Sequence, residues 1–405
     1  MTKLNQQIFG VYDIRGHQDD GIDEALAHRL GNRVASHLGA GSVVVGRDGR
    51  LASRALADAV KSGLQQAGVL VIDVGYTASP HVYWAMRHLG AVGAIMVTAS
   101  HNDDSYVGFK VVRRDGGVVP GPELFTILQT PEVLALKPGS IKDEDVSVGY
   151  ASEVTRQSRW PAGEVIACGI DAPISVRQVL ERIAPIAPSA ELLAVFDSDA
   201  DRIALYEHST KVRADVVGAL LAVHLKADAV VHDLRCSRAV LEYLHEHNVV
   251  THRCAVGRVA FQECMASTGA FMGMELSGHM YWKSFEGVEA PEYALLVALA
   301  MMRQSGMSLD SLAGPMKKYT SSEEISVSLQ GMHDVSVILE RVERFGTGYA
   351  IDRLDGVTVD AWEHEGWWCN VRASHTEPVV RLVAEAKEKH LLDRVVAEVL
   401  ALVRS

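Results

Sequence analysis

Residues 42–97 read SVVVGRDGRLASRALADAVKSGLQQAGVLVIDVGYTASPHVYWAMRHLGAVGAIMV. Three segments of this stretch, Ser42–Gly46, Val69–Gly75 and Ala91–Val97, are short, rich in β-branched residues and almost continuously apolar. Strands covered on both faces require that pattern. Between the first two, Ala52, Ala55, Leu56, Ala59, Val60, Leu64 and Ala67 recur at three- and four-residue spacing, which is one face of a helix. Pro80 opens a second helical stretch that runs to Leu89. Strand, helix, strand, helix, strand implies right-handed crossovers and a parallel sheet. Ligands of such sheets bind beyond the carboxyl ends of the strands.

Outward from this stretch, the polar, turn-rich segment Pro138–Asp145 marks a boundary. A shorter α/β unit follows, with strands at 164–170, 191–196 and 202–206 and a helix at 174–184. The first rhythm then returns: helices at 214–226, 238–247, 258–267 and 290–303 alternate with strands at 228–234, 249–254 and 270–275. After Gly314-Pro315 the alternation stops. The tail reads as a strand at 323–329, a helix at 333–345, three strands between 356 and 386 and a helix from 390. This order predicts α/β domains over 1–145, 146–210 (reduced) and 211–315, with mixed or parallel sheets, and an α+β domain over 316–405.

Composition excludes several classes. With 48% hydrophobic and 22% charged residues the 405-residue chain is globular rather than disordered. The net charge of −12 provides no basic field, so neither nucleic acid nor an anionic membrane is an expected partner. Cys168, Cys236, Cys254, Cys264 and Cys369 are odd in number and form no C-x-x-C pair, which suits reduced thiols in a cytoplasm. The first seven residues hold no apolar core of a signal peptide, and the longest apolar run, Tyr293–Met302, is far shorter than the ~20 residues that span a bilayer. The expectation is a soluble cytoplasmic protein.

Four loops carry the chemistry. Thr98-Ala99-Ser100-His101-Asn102 follows a strand, and its serine could be a nucleophile, a phosphorylated residue or merely a turn former. Lys110 returns shortly afterwards and could offset phosphate charge. Asp197, Asp199 and Asp201 repel one another at alternate positions unless a cation joins them, and hard oxygen donors suit Mg²⁺ or Ca²⁺. An EF-hand is excluded, because its sixth position is Arg202 rather than glycine and its twelfth is His208 rather than glutamate. Glu275, Ser277 and His279 offer groups that hydrogen-bond sugar hydroxyls. Arg372, Ser374 and Thr376, in a turn with His375, Glu377 and Pro378, form either a phosphate cradle or an ordinary β-turn. No P-loop, G-x-G-x-x-G or G-x-S-x-G is present, which weighs against nucleotide binding and a hydrolase elbow.

Taken in order, Tyr12–Gly16, Gly46–Arg50, Thr98–Asn102, Gly108–Lys110, Asp197–Arg202, Glu275–His279 and Arg372–Pro378 resemble the motifs of the α-D-phosphohexomutases, in particular the bacterial phosphomannomutase/phosphoglucomutase group. The resemblance implies four domains around a central cleft and interconversion of hexose 1-phosphate and hexose 6-phosphate, with mannose or glucose as the hexose. It makes Ser100 a phosphoserine, and assigns one Mg²⁺ to Asp197, Asp199, Asp201 and the Ser100 phosphate. Arg15, His101, Lys110 and Arg202 would surround the reacting phosphate. Glu275, Ser277 and His279 would contact the sugar, and Arg372, Ser374 and Thr376 the other phosphate. A hexose 1,6-bisphosphate activator and a monomeric or weakly dimeric state complete the implication. Ser198 and Ala200 stand where the family often has glycine, and Arg235 where it often has lysine. Two other readings share the fold: a phosphosugar-binding protein without turnover, and a Mg²⁺-dependent sugar phosphatase.

Overall fold

The computed structural model describes residues 4–329, 334–374 and 378–404. It divides into two compact units, Met1–Val212 with His279–Gly306, and Arg213–Gly278 with Met307–Ser405.

In the first unit, Ser42–Arg47 pairs in parallel with Leu70–Tyr76 on one side and Gly93–Val97 on the other. The helices Ser53–Gln66 and Ser79–His88 make the crossovers, as the apolar spacing predicts. Every residue of Gly93–Val97 is buried, which explains its unbroken apolar run. The complete sheet has six strands and is mixed: Tyr106–Arg113 and Ile14–His17 add antiparallel strands at one edge, and Ile141–Asp143 adds a parallel one at the other. A further helix, Glu24–Leu38, is capped by the Asp23 side chain, which accepts from the Leu26 N–H at 2.8 Å. It lies directly on Ser53–Gln66. A Cβ on Gly31 would come 2.1 Å from the Val60 carbonyl oxygen, and one on Gly63 would come 2.0 Å from that of His28. Only glycine permits so close an approach of two backbones.

A second sheet in this unit runs in the order Thr210–Val212, Ile203–Glu207, Leu192–Phe196, Gly169–Asp171. The strand expected from residue 164 is confined to Gly169–Asp171, with Ile166 bridging Ile186 in isolation. The turn between Leu192–Phe196 and Ile203–Glu207 carries the three aspartates. The helix Pro291–Ser305 returns to this unit and packs on Ser147–Ser158.

The second unit holds three parallel strands, with Ala229–Asp233 between Val250–Cys254 and Met272–Met274. It also holds an antiparallel sheet in which Trp367–Ala373 lies between Val357–Asp360 and Val379–Ala386. Helices Val335–Phe345 and Lys389–Arg404 supply Ile338, Val342, Leu392, Val395 and Val399 to the core of that sheet. The α+β tail is thus as expected. Among the described residues no disulfide forms: Cys168, Cys236, Cys254 and Cys369 are buried and Cys264 is half-buried. None of the described helices is long and apolar enough to cross a membrane.

Candidate active site

Thr98–Asn102 leaves the carboxyl end of Gly93–Val97, where the parallel topology places ligand loops. Ser100 is 2% exposed and holds a left-handed backbone, φ 53°. Its N–H donates to Thr98 Oγ1 at 2.9 Å, and its hydroxyl lies 3.5 Å from His101 Nδ1. Arg50 clamps the loop from the neighbouring strand end, donating to the carbonyls of Ser100, Asn102 and Asp103 while its Nε binds Asp48 Oδ2 at 3.0 Å. Arg15 donates to Asn102 Oδ1 at 2.7 Å and pairs with Asp13. His101 is pushed down to about 3 by burial, with Arg202 and Arg15 adding to the shift, so its ring is neutral.

The aspartate turn faces Lys110, on the strand Tyr106–Arg113. Lys110 Nζ lies 2.6 Å from Asp199 Oδ2 and 2.8 Å from Asp201 Oδ2. Ser79 Oγ donates to Asp199 Oδ2 at 2.6 Å, and its N–H donates to the Asp199 carbonyl at 2.9 Å. His279 Nε2 stands 3.2 Å from Asp201 Oδ1, and the Arg202 N–H donates to Asp197 Oδ1 at 3.1 Å. Burial would deprotonate Lys110, but Asp199 and Asp201 outweigh it and hold the ammonium charged. The same lysine, with His279 and Arg202, overcomes burial at Asp201 and keeps its carboxyl below the usual range. Asp197 lacks the lysine, and burial plus the other two carboxylates push it up.

In the second unit, Glu275 follows Met272–Met274 and is 4% exposed, with Arg235 Nη2 3.4 Å from its Oε1. Arg372 is the penultimate residue of Trp367–Ala373, its side chain buried, and donates to Glu324 Oε2 at 3.1 Å. Ser374 is half-buried, and its N–H donates to the Val379 carbonyl at 2.9 Å. Ser277 is half-buried, and Gly278 after it holds φ 102°, which turns the loop. Thr376, with His375 and Glu377, lies outside the described residues.

Three family models match the chain: phosphoglucomutase/phosphomannomutase alpha/beta/alpha domain I over residues 6–132, alpha/beta/alpha domain III over 213–319, and the C-terminal domain over 322–402. Together they cover most of the sequence. The chain belongs to the α-D-phosphohexomutase family. A curated relative named for phosphohexose mutases, from Xanthomonas campestris pv. campestris, is 29% identical over 433 residues, covering 94% of this chain and 95% of its own. The structure of a phosphoglucomutase/phosphomannomutase family protein from Burkholderia thailandensis superposes with a TM-score of 0.86 at 22% identity, covering 99% of this chain and 98% of its own. An N-acetylphosphoglucosamine mutase from Aspergillus fumigatus, solved with GlcNAc-6P and magnesium, gives 0.60 at 14% identity, covering 80% of this chain and 93% of its own.

The phosphohexomutase aspartates fit a hard cation on their own geometry. Oxygens of Asp197, Asp199 and Asp201 lie within 4.8 Å of one another. Among the described residues Asp197 Oδ2 and Asp199 Oδ1 are buried with no hydrogen-bond partner, and Asp201 Oδ1 is buried against His279 Nε2 at 3.2 Å. Buried anionic oxygens without donors are costly, and a divalent cation offsets that cost. In the first unit the structure therefore gathers Ser100, His101, Lys110, Arg15, Arg202, His279 and the three aspartates. In the second it links Glu275 and Arg372 through Arg235 and Glu324. Sequence reasoning gave no role to Arg50, Asp48, Ser79, Arg235 or Glu324. For Arg50 and Asp48 the signal was present, since both stand in the loop after Ser42–Gly46.

Proposed function

We propose that this phosphohexomutase interconverts the 1- and 6-phosphates of mannose or glucose by passing a phosphoryl group through Ser100. A stored phosphoserine donates to the free hydroxyl of the bound hexose phosphate. The P–O bond to Ser100 Oγ breaks, a P–O bond to the sugar forms, and the hydroxyl proton ends on the serine. The bisphosphorylated sugar then turns over and returns its other phosphate to Ser100. Hexose 1,6-bisphosphate would prime the serine.

The observation that carries this reading is Ser100, turned out of a buried strand end at φ 53° and clamped by Arg50. The Lys110 ammonium that bridges Asp199 and Asp201 stands in the same unit. Phosphoryl transfer is mainly positioning and charge neutralisation. Arg15 and Arg202 provide fixed cations, and neutral His101 can exchange a proton with the serine hydroxyl beside it. Asp197, Asp199 and Asp201 would hold one Mg²⁺, which when bound supplies further neutralisation of the phosphoryl oxygens. Glu275, Ser277 and His279 would accept and donate to the sugar hydroxyls. Arg372, Ser374 and Thr376 would hold the phosphate that is not reacting.

The reading keeps the four domains, with boundaries near 145, 210 and 315. It also keeps a cytoplasmic, monomeric or weakly dimeric protein. The acidic net charge and five unpaired cysteines support that setting.

The decisive experiment is Ser100→Ala. Wild type should carry one phosphate adduct by intact-mass spectrometry, and with Mg²⁺ and a trace of bisphosphate should convert 1-phosphate to 6-phosphate by ³¹P NMR. The variant should lose both the adduct and nearly all turnover while binding substrate within a few-fold. Turnover that survives in the variant would overturn the mechanism; free phosphate as the product would indicate a phosphatase, and an unphosphorylated wild type without turnover a binder.

A further inference from the structure

Arg372 and Arg381 are directly opposed in the antiparallel pairing of Trp367–Ala373 with Val379–Ala386. Like charges at directly opposed positions repel, so this pair needs an anion between its members. Glu324, the residue before the strand Ile325–Ser328, supplies it. That strand pairs with Val379–Ala386, Ile325 against Leu382, which brings Glu324 to the arginine pair. Arg372 Nη2 donates to Glu324 Oε2 at 3.1 Å and Arg381 Nη1 to Oε1 at 2.6 Å. A third guanidinium joins them: Arg235 Nη1 donates to Oε2 at 2.6 Å. The side chains of Arg235 and Arg372 are 4% and 5% exposed, and that of Glu324 is 19% exposed. Around this carboxylate the charges of three arginines are met by Glu324 and by Asp233 and Glu275, both of which pair with Arg235.

Two oxygens on one planar group thus hold three convergent guanidinium forks, the constellation that also recognises a phosphate. Among the described residues Arg372 Nε is buried with no hydrogen-bond partner, and a group with a third oxygen could engage it.

We propose that Glu324 is an internal competitor of the substrate phosphate: the two contend for Arg372 and Arg381, and Glu324 thereby sets the affinity of the cradle. The inference rests on the reading of the Arg372 loop as the phosphate cradle. When phosphate enters, Glu324 gives up its two contacts with the opposed arginines. Because Arg235 bridges Glu324 and Glu275, that exchange also alters what Arg235 offers the sugar loop. Glu324 is accordingly an affinity-determining residue.

The test is isothermal titration of the full-length protein with inorganic phosphate at fixed pH and ionic strength. Glu324→Gln should bind about tenfold more tightly than wild type, the equivalent of one charge-assisted contact no longer displaced. Glu324→Asp retains the charge but withdraws the carboxylate by one methylene, and should also tighten binding; it serves if the glutamine variant folds poorly. Glu323→Gln removes the same charge from the exposed neighbour and should leave the affinity unchanged. Unchanged or weaker binding in both Glu324 variants would overturn the competitor role, because the carboxylate would then only be holding the guanidiniums in place. Equal tightening in Glu323→Gln would overturn it as a net-charge effect. Arg372→Ala tests the underlying reading separately. If that variant retains wild-type affinity the cradle itself is wrong; if it loses binding while the Glu324 variants gain nothing, only the competitor role fails.

Discussion

Two residues of the first unit's site, Ser100 and Ala200, hold left-handed backbones without being glycine, at φ 53° and 52°. Such a conformation costs on the order of 1–3 kcal/mol and persists only where its surroundings impose it. Arg50 and Ser198 Oγ both bind the Ser100 carbonyl, and the Ala200 N–H is held by the Asp197 carbonyl at 3.0 Å. Charge is stored beside strain. Asp197 is the aspartate of the three without an ion pair to Lys110, and its Oδ2, buried 3.7 Å from Arg202 Nε, receives no hydrogen bond from the described residues. Asp197→Asn should therefore raise the stability of the metal-free protein by about 1 kcal/mol, within the range for a buried unsatisfied group. It should also abolish the stabilisation that Mg²⁺ gives wild type. Urea midpoints with EDTA and with Mg²⁺ measure both. Glu324 gives the pH counterpart. Burial alone would raise its carboxyl, but Arg235 and Arg372 and the hydrogen bonds from Arg235 and Arg381 outweigh that and hold it at about 2. A depressed folded value means that this stabilisation is complete above the ordinary 4.5 and drains away as pH falls from there towards 2. Glu324→Gln should flatten that limb of the stability curve, as read from urea midpoints at successive pH values. Ser100 and the aspartates were legible because their chemistry is packed into short runs after apolar strands. Ser79 was not, because its meaning comes from Asp199, 120 positions away. Glu324 was not, because it precedes a short strand and acquires its role only from the register of Arg372 against Arg381.

The helices Glu24–Leu38 and Ser53–Gln66 meet through Gly31 and Gly63. In an exposed helix, glycine to alanine gains about 1 kcal/mol. Here the added methyl would overlap a carbonyl oxygen of the partner helix at 2.1 Å or less, and backbone cannot turn aside as a side chain can. Gly63→Ala should therefore destabilise the protein by about 2–3 kcal/mol, an overpacking cost that exceeds the propensity gain. Thermal and urea unfolding would show it, and a stabilised variant would contradict the packing. The three strands of residues 42–97 were readable because one physical demand, cover on both faces, writes an unbroken apolar run. Glu24–Leu38 was legible in the same way: Leu26, Ala27, Leu30, Val34 and Ala35 recur at helical spacing and form its buried face. Asn32, 1% exposed beside that stripe, receives the Val133 N–H on its Oδ1 and donates to the Val133 carbonyl, so this polar residue is buried with its hydrogen bonds made. The hairpin of Met280–Trp282 with Val288–Glu289 was missed because its strands are three and two residues long, too short to show a period.

Across the whole molecule the chain leaves the first unit at Val212 and returns to it at His279. The returning segment completes a buried polar chain: His81 Nε2 lies 2.7 Å from Glu292 Oε1, Tyr150 donates to Glu292 Oε2 at 3.2 Å, and Thr77 Oγ1 meets His81 Nδ1 at 3.1 Å. A fragment ending at Val212 would leave His81 and Tyr150 buried without their acceptor, at about 1–3 kcal/mol for each orphaned group, and would lose the helix Pro291–Ser305. It should show no cooperative unfolding transition, whereas a chain ending at Gly306 should keep one. The thiols offer a way to watch such events in the intact protein. Burial pushes Cys168 up to about 11 and Cys369 up to about 12, and raises Cys236 and Cys254 as well. A thiol reacts as the thiolate and only where reagent can reach it. These four should therefore resist alkylation in the native protein, and half-buried Cys264 should label first. Cys168 belongs to the first unit and Cys236, Cys254 and Cys369 to the second. Pulse alkylation with peptide mapping would time the opening of each unit separately, without an introduced probe.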